Sequence, residues 1–552
     1  MNSNSTGKLL TLQFGHYSNF VGTHWWNVQE KSFQYSVDSK QDINHDVLFR
    51  DGINAKGLET YTPRLLLVDL KGSSGVLPAA SDLYDDTSEF QTDDVQWDAD
   101  RVEVKSEEKL EKNKFQEKLD NPDPNNEQTE FDFDKNVKVW SDYLYSRFHP
   151  RTLNLVKDYQ HNSNSFNSFH MGNKLWHTDQ FQDEFMDKIR NYVEECDYFQ
   201  GCQVLLDAFD GFSGLATSCI EDLHDEYGRS IIAFPLIPSF YEDYNHKNEE
   251  QRMQSIKYDS NRVLNFAFCF DTLREVSSLF VPLCTGEKGW RQPGNEREFN
   301  HIQYNPELYY HSGAILAAAL DTISLKYRLK SGNYTLKDLC KDLSHNNRIA
   351  AAASLTLPFS LNSDSDLIQC LDNWEGPLTR CITPNCTLGS ERMVQLYTLR
   401  GIKEERLKKP LSKAGPQKDL PAYKCKNVEE MLKFYLSCTT SLSLNDVTTV
   451  TNSLNVGEPY PKIFDEFVGS DGSILGNPRS SYIDVQSVPV LTGLHSGSGL
   501  GEMLETLLNE TKRINISRFH HFSDLGVDKD SFMDTVHNLN NFKECYEESY
   551  YL

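Results

Sequence analysis

A chain of 552 residues can bury a large core and divide into two or more lobes, and its 38% hydrophobic and 12% aromatic content is that of a folding rather than a disordered sequence. Its formal net charge of −26 excludes a general nucleic-acid binder, because phosphate binding depends on Lys and Arg displacing counterions, and it leaves little unspecific attraction to anionic lipid. Twelve cysteines without a CxxC pair, behind a start lacking a basic-plus-apolar leader, lead us to expect reduced thiols in a cytosolic protein and no zinc site.

Residues 9–14 (LLTLQF) read as a short buried strand ending at Gly15. After a loop, residues 19–30 space Val21, Trp25 and Trp26 on one helical face, with Asn19 as the expected cap. Residues 65–70 (LLLVDL) lack alternation, as a strand covered on both faces does, and place Asp69 near its end. Residues 82–134 hold 19 acidic and 6 basic side chains, net −13, half the charge of the chain. They read as a solvated, disordered acidic insert with one short helix and no core positions.

Helical spacing resumes at Asp179 through Phe181, Phe185, Ile189, Tyr192, Val193 and Cys196. A strand at 204–206, a turn at 207–214 (DAFDGFSG), a helix at 215–227 and a strand at 231–235 then compose a βαβ unit with a right-handed crossover. Residues 314–329 predict a helix buried around much of its circumference, a spine between two lobes. From about Leu355 shorter segments take over, including a basic stretch at 403–426 that reads as a solvated linker, and amphipathic helices at 500–512 and 529–546 close the chain. No apolar stretch approaches the roughly 20 residues that cross a bilayer, so any membrane association is expected to be peripheral.

Three glycine-bearing turns, at Gly15, Gly72 and Gly211 with Gly214, each follow a buried strand. They should converge on the carboxyl edge of one parallel sheet, where such folds bind ligands. Asp210, Gly211, Phe212, Ser213 and Gly214 lead into a helix whose N–H groups suit a phosphate; the other reading is a tight connection in which glycine only relieves a clash. No P-loop lysine is present, and Asp207 and Asp210 would repel a phosphate unless a cation intervened. Ser213 lacks the spacing of a nucleophile elbow, because Gly214 follows it directly. His16, His24, His520 and His521 have no second ligand at a recognisable spacing, so no metal site is expected.

These features resemble the tubulin superfamily over most of the chain. The first nucleotide loop of tubulins, GxxxNxxG, is similar to Gly15, Asn19 and Gly22 in FGHYSNFVG, and the second region to TPRLLLVDLKGS, with Pro63, Arg64 and Asp69. The glycine-rich signature is similar to VLLDAFDGFSGLATSCIEDLHDEYG, which keeps Ser213 and Gly214 but has lost two or three glycines. GLHSGSGLGEMLETLL and RFHHFSDLGVDKDSF resemble the turn and segment around the last helices. Within the superfamily, HWWNVQE, KVWSDYLYSRFHPR, YVEECDYFQGCQVLLD and AILAAALDTISLKYRL resemble the Misato family of mitochondrial distribution and morphology regulators.

The resemblance implies an α/β, tubulin/FtsZ-like fold: a Rossmann-like parallel-sheet nucleotide domain over residues 1–350, containing the insert, a second α/β domain over 351–490, and C-terminal helices over 491–552. It implies a nucleotide site for GTP or GDP at Gly15, Asn19, Asp69, Asp210, Gly211, Ser213 and Gly214, with Tyr309 stacking on a base. Departures from tubulin weaken the chemistry: Lys71 replaces an acidic magnesium partner, His311, Ser312 and Gly313 stand where an asparagine reads guanine, and SGNYTLKDLCKDL lacks the catalytic NxDxxEF pattern. No catalytic residue is therefore assigned. The implied function is that of a scaffold or regulator of mitochondrial network organisation and fusion, found in the cytoplasm and on the cytosolic face of the mitochondrial outer membrane, where the surface or a receptor on it is the partner. Two other readings stay open, a guanine-nucleotide switch or slow GTPase, and a tubulin-folding or spindle-assembly factor partnered by tubulin or its folding machinery.

Overall fold

The computed structural model describes residues 7–33, 42–53, 57, 59–77, 111–120, 131–161, 166–241, 249–291, 294–389, 393–409, 419–439, 443–519 and 528–547. Its first half is built on the strands β1 (Lys8–Phe14), β4 (Leu65–Lys71), β5 (Leu153–Gln160), β6 (Phe199–Asp207), β7 (Ser230–Ile237), β8 (Leu279–Phe280) and β9 (Leu283–Cys284), with β2 (Phe49–Ile53) and β3 (Glu59–Pro63) forming a separate antiparallel pair. The sheet runs in the order β5-β4-β1-β6-β7-β8, with β9 also on β7, and its pairings are parallel.

The inner strands β1, β4, β6 and β7 are buried along most of their length because both faces are covered, whereas the edge strand β5 is partly exposed. Leu10, Leu12 and Phe14 of β1, with Leu66 and Val68 of β4, enter one core. That core also takes residues of α4 (Phe169–Trp176), α5 (Asp179–Glu194), α6 (Gly211–Tyr227) and α7 (Glu249–Val276). Leu9, Leu65 and Leu67 point the other way, into a core with α1 (His16–Lys31) and α8 (Tyr309–Ser324). The parallel strands therefore deliver Gly15, Asp69, His161 and Asp207 to one edge of the sheet.

A second, five-stranded sheet has the order Arg380–Cys381, Ala352–Thr356, Val490–Ser496, Val394–Arg400, Leu444–Val450; its last pair is parallel and the others antiparallel. Helix α8 packs against α1 on one side and against strands of the second sheet on the other. Buried Asp321 of α8 binds Arg328 at 2.9 Å and also Arg400 of the second sheet, a charged tie between the halves. Helices Gly499–Lys512 and Lys529–Glu544 pack on α7.

Several expectations need correction. The first helix begins at His16, not Asn19, with Gly15 in the cap position, because an acceptor from a distant strand satisfies its first N–H groups. The 28-residue helix α7 was not anticipated; its polar residues recur without a clean apolar stripe. Residues 82–134 contain the expected short helix but are not free of core positions. A helix at Lys114–Asp120 buries Phe115, and Asn113 and Gln116 donate to the carbonyls of Asp142 and Ser141. Phe133 stacks on Tyr310 with centroids 5.8 Å apart, so residues 131–134 belong to the folded body. Residues 78–110 and 121–130 lie outside the described residues.

In the basic stretch, Lys408 donates to the carbonyls of Tyr423 and Cys425 at 2.9 and 3.0 Å and so fastens a turn. Lys413, Lys418, His520 and His521 fall outside the described residues.

Candidate functional site

The carboxyl edge of the parallel sheet opens into a cavity of about 530 Å³, lined by Asp69, Asp207 and Asp210 and by aromatic rings including Tyr17, Phe20 and Tyr309. Gly15 makes the turn from β1 into α1 with φ +115°, and a Cβ there would lie 2.3 Å from the Asp207 carboxylate. That closeness defines the site. Asp207 accepts from Tyr17 N–H at 3.0 Å, Ser18 N–H at 2.7 Å and the Ser18 hydroxyl at 2.6 Å. The N-terminus of α1, where the tubulin likeness implies a phosphate, thus holds a carboxylate of the protein itself.

The second helix terminus is filled in the same way. Gly211 N–H donates to the Phe166 carbonyl at 3.2 Å, Phe212 N–H to the Asp210 carboxylate at 2.9 Å, and Ser213 N–H to the Asp210 carbonyl at 3.2 Å. Gly211, Ser213 and Gly214, expected in a turn, lie inside α6, and neither glycine has a positive φ. Their smallness serves packing instead: a Cβ on Gly214 would sit 1.8 Å from the Phe169 carbonyl oxygen, and one on Gly172 would sit 1.8 Å from the Gly211 carbonyl oxygen. Helices α4 and α6 therefore cross with their backbones in contact.

Burial pushes the Asp207 carboxyl above the usual range, against the lowering effect of its Ser18 and Tyr17 donors. Asp210 is raised too, by burial and then by Asp207. The pair thus favours a bound proton or a nearby cation over a further anion.

Asp69 differs. It is fully buried, and its Oδ2 accepts from Trp140 Nε1 at 2.9 Å, Asn19 Nδ2 at 3.0 Å and His16 Nδ1 at 3.2 Å, while Oδ1 takes the Leu70 N–H at 2.8 Å. Burial would raise this carboxyl, but His16 and the donors from His16, Asn19 and Leu70 outweigh it and hold it below its ordinary value.

Sequence reasoning missed His161. A register shift in β5 opposes Leu70 to Val156 but Lys71 to Gln160, and His161 N–H then donates to the Lys71 carbonyl at 2.9 Å. This brings the His161 ring to 4.1 Å from that of His16, and the His16, Asp69 and His161 ligand atoms all lie within 4.8 Å of one another. Burial, then His16, pushes the His161 imidazole down to about 4.

Tyr309, expected to stack on a base, leans edge-on against Tyr17 at 4.8 Å and Phe20 at 5.8 Å and lines the cavity. Asn305 N–H donates to His311 Nδ1 at 3.0 Å, which leaves Nε2–H to donate to Asp134 at 2.8 Å. In the segment compared with the catalytic loop, Asp338 closes a capping box with Thr335 at the start of α9 (Leu336–Leu343), and Asp342 accepts from the Tyr334 hydroxyl at 2.5 Å. Both carboxylates there are engaged locally.

A parallel α/β sheet with two helix N-termini gathered at its carboxyl edge, joined by a long buried helix to a smaller mixed sheet, defines a tubulin-like protein. Family models described as Misato Segment II tubulin-like domain and Tubulin domain match residues 7–121 and 132–329. The chain is 34% identical to "Protein misato" of Drosophila melanogaster, over 99% of this chain and 100% of that protein. It is 32% identical to "Protein misato homolog 1" of Homo sapiens over 98% of each. "Protein DML1" of Gibberella zeae is 30% identical over 65% of this chain and 69% of its own length. The chain belongs to the Misato family of tubulin-like proteins.

Proposed function

We propose that this protein is a non-enzymatic, tubulin-like scaffold or regulator of mitochondrial distribution and morphology, acting in the cytoplasm and at the cytosolic face of the outer membrane through a receptor on that surface. One observation carries the non-enzymatic part: N–H groups at both candidate phosphate-binding helix termini are taken by Asp207, Asp210 and the Phe166 carbonyl. The local engagement of Asp338 and Asp342 supports it, since these are the carboxylates of the segment that the tubulin likeness compares with the catalytic loop. The mitochondrial part rests on the family resemblance.

A guanine-nucleotide switch is the second reading, favoured by a cavity of about 530 Å³ with Tyr309 in its wall. The test has two arms. Nucleotide released from purified protein and GTP turnover in magnesium are measured; the scaffold reading expects neither. Cells depleted of the protein are then imaged, with collapse or fragmentation of the mitochondrial network expected, and rescue by the wild-type chain. An intact network after depletion would sink the mitochondrial assignment, and stoichiometric bound GTP would transfer the argument to the switch.

A further inference from the structure

We propose that His16, Asp69 and His161 form a binding site for one divalent transition-metal ion of the zinc class. Asp69 lies near the end of β4, and His16 and His161 lie just beyond the ends of its neighbours β1 and β5, so the sheet sets their spacing. Their ligand atoms lie within 4.8 Å of one another. A metal bound at about 2.0–2.2 Å from each would draw these atoms closer together.

The surroundings fix the carboxylate in place for an ion. Asp69 is oriented by three groups besides His16: the Trp140 indole at 2.9 Å, the Asn19 amide at 3.0 Å and the Leu70 N–H at 2.8 Å. Outer partners of this kind hold a metal-binding carboxylate in place and are a regular part of such sites. His161 is anchored through its own backbone to the Lys71 carbonyl, and its ring meets that of His16 at 4.1 Å.

The electrostatics agree. Asp69, Asp207 and Asp210 all face the cavity. Two imidazoles with one carboxylate favour zinc, iron, nickel or copper over magnesium, which prefers oxygen ligands and retained water. His16, Asp69 and His161 all line the cavity, so a remaining coordination position would face it and be filled by water or an oxyanion. A fold associated with anion binding would thus have its helix termini closed by carboxylates and a cation site built beside them.

The experiment uses the full chain, stripped with a chelator, dialysed and titrated with Zn²⁺ by calorimetry and with Co²⁺ by visible absorption. One ion per chain and a ligand-field spectrum of low-symmetry Co²⁺ are expected. His161→Ala and His16→Ala, which each remove a direct ligand, should weaken affinity by more than the roughly 10–100-fold that loss of an outer partner costs, whereas His177→Ala, an exposed histidine elsewhere, should not. Circular dichroism of the metal-free variants checks folding, and because His161 is only half-buried, His161→Ala is the variant that keeps the test decisive. Substoichiometric binding in the wild type, equal affinity in His161→Ala, or displacement of Co²⁺ by equimolar Mg²⁺ would each overturn the proposal.

Discussion

Ser18 gives both its backbone N–H and its hydroxyl to the same oxygen of Asp207, at 2.7 and 2.6 Å. Removing that acceptor strands buried donors, including the Tyr17 N–H, at about 1–3 kcal/mol for a group left unsatisfied. Asp207→Ala should therefore lower the urea midpoint clearly, and Asp207→Asn, which keeps one acceptor, should lower it less. Asp207→Ala should also open the α1 terminus to anions. Inorganic phosphate should raise its melting temperature while leaving the wild type unmoved; an equal response in both would show that Asp207 does not occupy an anion position.

Gly214 tests whether the glycines of α6 serve phosphate or packing. A nucleotide loop would tolerate Gly214→Ala in the fold and lose only ligand. Contact of a new Cβ with the Phe169 carbonyl at 1.8 Å instead forces α4 away from α6. Overpacking of this kind costs about 1–3 kcal/mol or more, so the variant should be less stable or insoluble without any nucleotide present. Unchanged thermal unfolding would contradict the backbone contact.

The fold was legible because parallel strands carry apolar runs such as the LLLV of β4, and the turns at Gly15 and after Asp207 stand at strand ends. The site was legible only in part. Asp69 follows from its strand, but His161 reaches it through a register shift that no periodicity announces. Gly211 and Gly214 were misplaced because glycine in a helix looks like a turn until the crossing helix α4 is known. Asp207 was recognised as hostile to phosphate, yet its role as acceptor for α1 needed the pairing of β1 with β6.

Asp321 lies between Arg328 and Arg400, and all three side chains are no more than 3% exposed. Asp321→Asn leaves two buried guanidinium groups without a counter-charge, and breaking a buried pair in this way costs about 3–5 kcal/mol. Arg400→Met should cost less, because Asp321 keeps Arg328. The double variant should be more stable than Asp321→Asn alone, which a double-mutant cycle in urea would read directly. Additive losses would mean that the charges act independently.

His495 supplies a pH test remote from the cavity. Its ring contacts the Ser354 hydroxyl at 2.7 Å and Gln395 at 3.2 Å, and burial pushes its imidazole down to about 3 from the ordinary 6.5. Above 6.5 it is neutral in both folded and unfolded chains and adds no pH dependence. Below that value the unfolded chain takes up a proton that the folded one refuses, so stability falls as the pH drops from 6.5 toward 3. The slope approaches about 1.4 kcal/mol per pH unit for this one group. His495→Gln, which keeps a polar partner for Ser354, should be the less stable protein at pH 7 and should lose stability more slowly on acidification. Urea midpoints measured from about pH 7 to 4.5 should therefore converge. Parallel lines would show that His495 titrates alike in both states.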